Sequence, residues 1–408
     1  MALLRQMDPR GLRGKATSIF RRLTSVIVCV NVIAFETKRW LITLSFLGSF
    51  FVLNESKKMN FGGESMKLLK KVAAFALAGA TVLGMAGCGK SGGTSTGKSY
   101  SIGIVQYVDH ASLNQIEANI EKELKAKEKE LGVTFNVTLK NGQADGTTLN
   151  QIVSDFADSK VDMIIPIATP AAMIAIAGTE GKNIPIVFSA VSDPVTAKIV
   201  DSMDKPGGNV TGTSDGLNTE ALCNMMVAAD KKMDTVGLLY SKSESASEKP
   251  IKEAKEFFKK NGIKVVEKTG SKEDEVRSAA DALIAAKVDA VFTPTDNTIM
   301  NAELAIYEKF TAAKIPHYCG ANSFAVNGAF VGYGVDYAQL GSATADMAAD
   351  ILVNEKDVAT YPVQTLDNGI TTINTETCEA LGLKLDEVKK VFSEYSQSIE
   401  EVKTSEEV

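Results

Sequence analysis

The chain has 408 residues, 45% of them apolar, which is enough for two packed domains with residues to spare. Its formal charge of −6 mixes two regions: residues 1–87 carry 13 basic and 4 acidic side chains, and the remaining 31 basic and 46 acidic ones leave the body at −15. An acidic body argues against nucleic acid as a partner, and with only two histidines, His110 and His317, a histidine-based metal site is not expected.

The chain opens on a basic stretch that sits awkwardly. Residues 66–87 have a basic start, a short apolar run and small residues before Cys88, the pattern of a signal peptide. Such a signal should begin a chain. Gly62-Gly63-Glu64 is what a purine-rich ribosome-binding sequence would encode, so Met66 is the expected start and residues 1–65 read as translated upstream DNA. The alternative is a membrane segment at 41–53, which is short for a span. Met85-Ala86-Gly87-Cys88 resembles the lipobox of bacterial lipoproteins, with Met where Leu is usual. That resemblance implies a lipid on Cys88 and an extracytoplasmic, membrane-anchored protein. The Gly/Ser/Thr-rich residues 88–98 are expected to form a flexible tether.

The body starts at Ser99. A strand is expected over 100–106, a loop over 107–112 and an amphipathic helix over 113–131. Strand 134–139, a turn at 141–145 and helix 149–159 follow. Next comes the stretch that organises the chain. Val161-Asp162-Met163-Ile164-Ile165-Pro166-Ile167 is an apolar run suited to a strand buried on both faces. Ala168-Thr169-Pro170-Ala171 then turns into a helix, with Thr169 as expected N-cap and Pro170 in the first turn. Bare backbone N–H groups at that helix start suit a small anion such as a carboxylate. Another strand, 184–189, leads to Ala190-Val191-Ser192-Asp193-Pro194.

The pattern then repeats. Residues 235–240 match 101–106, helix 249–261, strand 264–268 and helix 273–286 follow, and Val288-Asp289 opens a second copy of the central stretch. Both copies are preceded by lysine, Lys160 and Lys287. The second turn carries Asp296-Asn297 where the first has Thr169-Pro170. Ile315-Pro316 matches Ile184-Pro185. Strand–helix alternation in two copies means α/β architecture, with two doubly wound parallel-sheet lobes. A strand at 329–335, a long helix at 336–352, a strand at 371–374 and helical turns up to 395 complete the body, and the acidic tail 396–408 is expected to fray. Cys223, Cys319 and Cys378 lack CxxC spacing and read as small buried hydrophobes.

The lipobox leader, the Ala-Thr-Pro-Ala turn, Ser189-Ala190-Val191-Ser192-Asp193-Pro194, Pro294-Thr295-Asp296-Asn297-Thr298 and the Tyr-Xaa-Gln-Leu-Gly run from Tyr337 to Gly341 together resemble the ABC-transporter substrate-binding lipoproteins, in particular their tryptophan/tyrosine-type branch. The resemblance spans residues 66–395. It implies the type I periplasmic-binding fold, with two lobes joined by a three-crossover hinge near Thr213, Ala329 and Val358. The lobes would then be 99–212 with 329–357, and 213–328 with 358–395. It also implies ABC permease transmembrane subunits as partners, a monomer and no cofactor.

Candidate binding residues all follow expected strands. The backbone of Ala168, Thr169 and Ala171, with the Thr169 hydroxyl, would hold a carboxylate; Ser189 and Ser192 would assist. Asp296 or Asp336 would hold an ammonium, with Asn297 beside it, and helix capping is the competing role for both acids. Tyr107, Phe188, Tyr240, Tyr318 and Tyr333 are the aromatic candidates for the walls, each competing with a place in the core. Gln106 and His110 would reach ligand edges. Opposed hydroxyl and acid turns suit a zwitterion, and the resemblance implies an aromatic amino acid such as tryptophan, tyrosine or phenylalanine. No Ser-His-Asp set, Gly-rich phosphate loop or metal-ligand cluster is present to support an enzyme. A ligand sensor, or a receptor for a sugar or nucleobase, would share the same fold.

Overall fold

The computed structural model describes residues 97–366 and 369–405; the expected leader, the lipidated Cys88, the tether up to residue 96 and the last three residues lie outside them. The first sheet contains β1 (Ser99–Gln106), β2 (Thr134–Asn141), β3 (Met163–Ile167), β4 (Ile186–Phe188), β5 (Val210–Ser214) and β11 (Gln364–Thr365). Their order is β2-β1-β3-β4-β5-β11, and every pairing is parallel. The second sheet contains β6 (Thr235–Tyr240), β7 (Lys264–Thr269), β8 (Ala290–Thr293), β9 (His317–Cys319), β10 (Val331–Gly334), β12 (Ile370–Asn374) and β13 (Ser398–Val402). Its order, β7-β6-β8-β9-β10-β12-β13, repeats the first, with only the β10–β12 pair antiparallel. Two doubly wound lobes are what the repeat predicted, and the three crossovers that join them are what the resemblance implied.

Local chemistry explains the repeat. β3 is buried along its whole length, as a strand covered on both faces must be. Lys160 and Lys287 take φ of 53° and 54°, and Asn183 and Lys314 take 52° and 60°, so the same left-handed turn launches corresponding strands in both lobes. The shared Val-Asp is a clamp. Asp162 Oδ2 accepts the Ser101 N–H at 2.7 Å, and Asp289 Oδ2 accepts those of Asp234 and Thr235 at 2.8 and 2.9 Å. Each carboxylate ties its strand to the start of the neighbouring one, at the end opposite the strands' carboxyl termini.

Three apolar clusters hold the layers. One packs α2 (Gly146–Asp158) and α3 (Thr169–Gly178) on the first sheet through Val153, Phe156, Ala172, Ile164 and Phe188. A second packs α4 (Thr219–Ala229) and α5 (Glu248–Lys260) on the second sheet through Leu222, Met226, Phe258 and Phe292. The third runs through both lobes. It joins α1 (Ala111–Leu131), whose Leu113, Ile116, Ile120 and Leu124 form one stripe, to α6 (Glu273–Ala285) and α7 (Asn297–Ala302).

Several expected boundaries differ. β10 belongs to the second sheet, so the second crossover falls at Val335-Asp336 and not near Ala329. It leads into α10 (Tyr337–Leu352), which packs on α1, β4 and β5 of the first lobe. β11, a strand of two residues with no sequence signal, extends the first sheet, so the third crossover lies after Thr365 and not near Val358. The short helices α8 (Tyr307–Ala312) and α9 (Asn322–Val326) lie within the second lobe. After α11 (Thr375–Ala380) and α12 (Leu385–Phe392), the acidic tail does not fray as expected. β13 pairs with β12, Asn374 Nδ2 donates to Thr404 Oγ1 at 2.9 Å, and Ser405 N–H donates to the Val326 carbonyl at 2.9 Å.

Candidate functional site

In both sheets the strand order reverses direction at one place, between β1 and β3 and between β6 and β8. Open parallel sheets take ligands beyond the carboxyl ends of their strands at such points. A cavity lies there, lined by His110, Ser112 and Leu113 after β1; Ala168 and Thr169 after β3; Ala190 and Ser192 after β4; and Asp215 after β5. The second lobe adds Ala246, Thr295, Asp296, Asn297, Met300, Ala321, Ser323 and Phe324, and Tyr337 enters from the start of α10. The cavity is tight, about 20 Å³. Hydrogen bonds cross between the lobes at its rim: His110 to Asn297, and Ser112 Oγ to both Asn322 Oδ1 and Ser323 Oγ at 2.8 Å.

The turn after β3 is built differently from the expectation. Ala168, not Thr169, occupies the N-cap, with φ 81° and ψ 153°. That region is essentially reserved for glycine and costs about 1–3 kcal/mol. The Ala168 N–H is already given to the Ser189 carbonyl at 2.9 Å, so it is not an anion donor. Thr169 begins the helix. Its hydroxyl is buried and has no hydrogen-bond partner, and the N–H groups of the first turn have no acceptor within an α-helix. Ala171 is packed in the core of the first lobe, so only its backbone can take part.

The acids differ in the donors that reach them. Asp296 caps α7 by accepting the Ile299 N–H at 3.0 Å, and its other oxygen accepts the Ser241 N–H and the Ser247 hydroxyl, both at 2.7 Å. Glu244 lies behind it, accepting from Asn297 Nδ2 at 3.3 Å and the Thr298 hydroxyl at 3.4 Å. Burial raises both carboxyls above their usual range, and the charge of Asp296 raises Glu244 further. Asp215 went unseen in the sequence. Burial pushes its carboxyl up to about 6, against hydrogen bonds from Ser192, its own N–H and Tyr337; the Ser192 hydroxyl donates at 2.9 Å. Asp336 serves α10 as its N-cap, accepting the Gln339 N–H at 3.0 Å, and does not line the cavity.

The other expected contacts resolve into structure. Gln106 Nε2 donates to the Val108 carbonyl and Asn114 Oδ1, holding the loop after β1. Ser189 joins an internal hydroxyl cluster with Thr213 and Thr344. Phe188, Tyr318 and Tyr333 are core residues, and Tyr318 packs with Phe330 and Phe392. The Tyr240 hydroxyl donates to Glu267 outside the cavity. Tyr107 is half-buried close to Glu244 and Asp296, and burial followed by those charges lifts it to about 12. The aromatic walls are instead Phe324 and Tyr337. Tyr337 was legible as the start of a motif; Phe324 carried no signal beyond its place after β9. His110 is buried and neutral, its ring held down to about 4 chiefly by burial.

Two lobes with three crossovers, meeting around a polar cavity at both switch points, define a two-lobed receptor that encloses a small molecule. Residues 101–394 match the family model for ABC transporter substrate binding protein, so the chain belongs to that family and is a substrate-binding protein of an ABC transporter. It is similar to a tyrosine-binding protein of Clostridioides difficile strain R20291, 34% identical over 340 residues, 80% of this chain and 97% of that one. Among solved structures it is similar to an ABC domain in complex with L-Trp from Streptococcus pneumonia, with a TM-score of 0.68 and 27% identity over 74% of this chain and all of that one. The ligand-free, open structure of CD0873, a substrate binding protein with adhesive properties from Clostridium difficile, gives 0.58 at 34% identity over 75% of this chain and all of that one.

Proposed function

We propose that this chain captures an aromatic amino acid, of the tyrosine and tryptophan class, between its lobes and delivers it to the transmembrane subunits of an ABC importer. The observation that carries this is the pairing, in one cavity, of an unpartnered buried hydroxyl at a helix start, Thr169, with a buried carboxyl, Asp215, and the rings of Phe324 and Tyr337. Thr169 and the first-turn N–H groups of α3 take the ligand carboxylate. Asp215 takes the ammonium, with the hydroxyls of Ser192 and Tyr337 beside it, while Asp296 keeps its three protein donors as the cap of α7. The two rings supply flat apolar walls. The relatives named for tyrosine and solved with L-Trp agree with this ligand class. The greater likeness to the L-Trp complex than to the more identical open structure supports a closed arrangement of the lobes here. A cavity this tight admits an amino acid only when the lobes swing apart on the crossovers and then reclose. Capture is the whole of the task, with no catalysis. The protein works as a monomer, held outside the cell membrane by a lipid on Cys88.

Isothermal titration with L-tyrosine, L-tryptophan and L-phenylalanine tests this, alongside tyramine, which lacks the carboxylate, and 3-(4-hydroxyphenyl)propionate, which lacks the ammonium. Removing either charge is expected to weaken binding about tenfold or more. Asp215→Asn should erase the preference for the ammonium and leave that for the carboxylate. A specific response to a sugar or nucleobase with none to amino acids would overturn the assignment.

A further inference from the structure

His110 sits at the N-terminal cap position of α1, yet its side chain caps nothing. Its ring crosses to the other lobe, where Nε2 lies 3.0 Å from Asn297 Oδ1. Asn297 Nδ2 donates onward to Glu244 Oε2 at 3.3 Å. His110, Asn297 and Glu244 are all buried, and the second ring nitrogen of His110, Nδ1, has no partner. His110 and Asn297 line the cavity, and Glu244 stands behind them.

The chain of bonds has a sense. A carboxylate only accepts, so Asn297 must turn its NH₂ to Glu244 and its oxygen to His110. An oxygen facing Nε2 requires the ring hydrogen there, and a neutral imidazole then has a bare lone pair on Nδ1. Should Glu244 hold a proton, the Thr298 hydroxyl beside Oε1 can rotate to receive it, whereas turning the Asn297 amide would move the ring hydrogen to Nδ1, where it has no acceptor. We propose that Glu244, acting through Asn297, is a positioning residue that holds His110 in its Nε2–H form, so that Nδ1 accepts a hydrogen bond from an N–H or O–H group of the ligand. The relay spans both lobes, so His110 acquires this polarity only on closure. A ligand presenting a lone pair at that point meets another lone pair once the lobes close and is rejected. The proposal deepens the amino-acid reading and rests on it for the identity of the donor, but the form of the ring can be tested without any ligand.

With two histidines in the chain, ¹⁵N-histidine labelling assigns the ring forms directly by long-range ¹H–¹⁵N spectra. His317, bonded through Nδ1 to Glu303 and through Nε2 to Thr293, is the internal control for folding. A disulfide between S112C and S323C, whose hydroxyl oxygens now lie 2.8 Å apart, holds the lobes together in the absence of ligand. In that locked chain His110 is expected as Nε2–H with an unprotonated Nδ1. Adding E244L should give a mixture of both forms, and E244Q, which keeps an acceptor oxygen, should retain the original one. In the unlocked chain E244L is expected to weaken L-tyrosine or L-tryptophan about tenfold and E244Q far less. A hydrogen on Nδ1 in the locked chain, or a ring form indifferent to E244L, overturns the relay. Should E244L not fold, the locked parent spectrum still decides the point. Failure of every amino acid to bind, with the ring form as expected, would count against the ligand reading and leave the relay standing.

Discussion

A hydroxyl buried without a partner costs folding about 1–3 kcal/mol, and Thr169 carries that cost in the cavity. Thr169→Val keeps the shape and removes the oxygen. Its ligand-free stability is therefore expected to hold or rise by about 1 kcal/mol, while affinity for the amino acid falls about tenfold. Denaturant unfolding and titration calorimetry read the two effects separately, and a variant that loses stability with unchanged affinity would make Thr169 a structural residue. Thr169 was legible because its signal is local: an apolar strand followed at once by Thr-Pro. Asp215 was not. Ser214-Asp215-Gly216 reads as an ordinary loop, and the side chains that hydrogen-bond its carboxyl, Ser192 and Tyr337, come from distant parts of the chain. Asp296 illustrates the converse. Its position was foreseen, but whether an acid caps a helix or meets a ligand depends on which donors the fold brings to it, and here they are the cap of α7 and two serines, Ser241 and Ser247.

Two elements position the site from the first lobe. α1 begins just after His110 and α10 begins at Tyr337, and they cross where Gly341 meets the backbone of Ile116. A Cβ at 341 would overlap the Ile116 carbonyl oxygen. Gly341→Ala should therefore cost about 1–3 kcal/mol in urea unfolding and also weaken ligand binding, because the two helix starts would part. The glycine of the Tyr-Xaa-Gln-Leu-Gly motif is thus a packing residue, and the tyrosine is the one that faces the cavity. At the other end of the chain, β13 covers the edge of β12. A chain ending at Tyr395 is expected to lose about 2 kcal/mol or more of stability and to associate through the bared edge. Sedimentation and unfolding curves identical to those of the parent would show that β13 contributes little. The tail's acidic composition hid this strand, since pairing to a parallel neighbour needs a sheet edge that no local pattern reveals.

At the scale of the molecule, the buried acids govern the response to pH. Asp215 is raised to about 6, and Asp296 and Glu244 are raised as well, in each case chiefly by burial. The folded state therefore holds these protons more tightly than the unfolded chain. The stability they contribute is complete below the ordinary carboxylate range and is lost as pH rises through the folded values. Surface acids such as Glu128 and Glu267, lowered by Lys125 and Lys255, act with the opposite sign and lose their contribution as pH falls through the carboxylate range. The ligand-free protein should then melt highest near about pH 5. An ammonium at Asp215 favours the ionised acid, so affinity should fall below about pH 6 and binding there should release a proton. Calorimetry in two buffers of different ionisation enthalpy measures that release, and its absence would remove Asp215 from contact with a cation.

Periodicity and repetition were enough for the architecture. Runs of apolar residues, a duplicated Lys-Val-Asp strand opening and paired Ile-Pro strands are properties of neighbouring residues, and two doubly wound lobes follow from them. The same local signal marked the strand ends from which a ligand would be held. That Asp215 lines the cavity, which ring faces inward and where the second and third crossovers fall were beyond that reach. Each depends on partners brought together across the hinge, and a side chain's role there is set by what else has come to meet it.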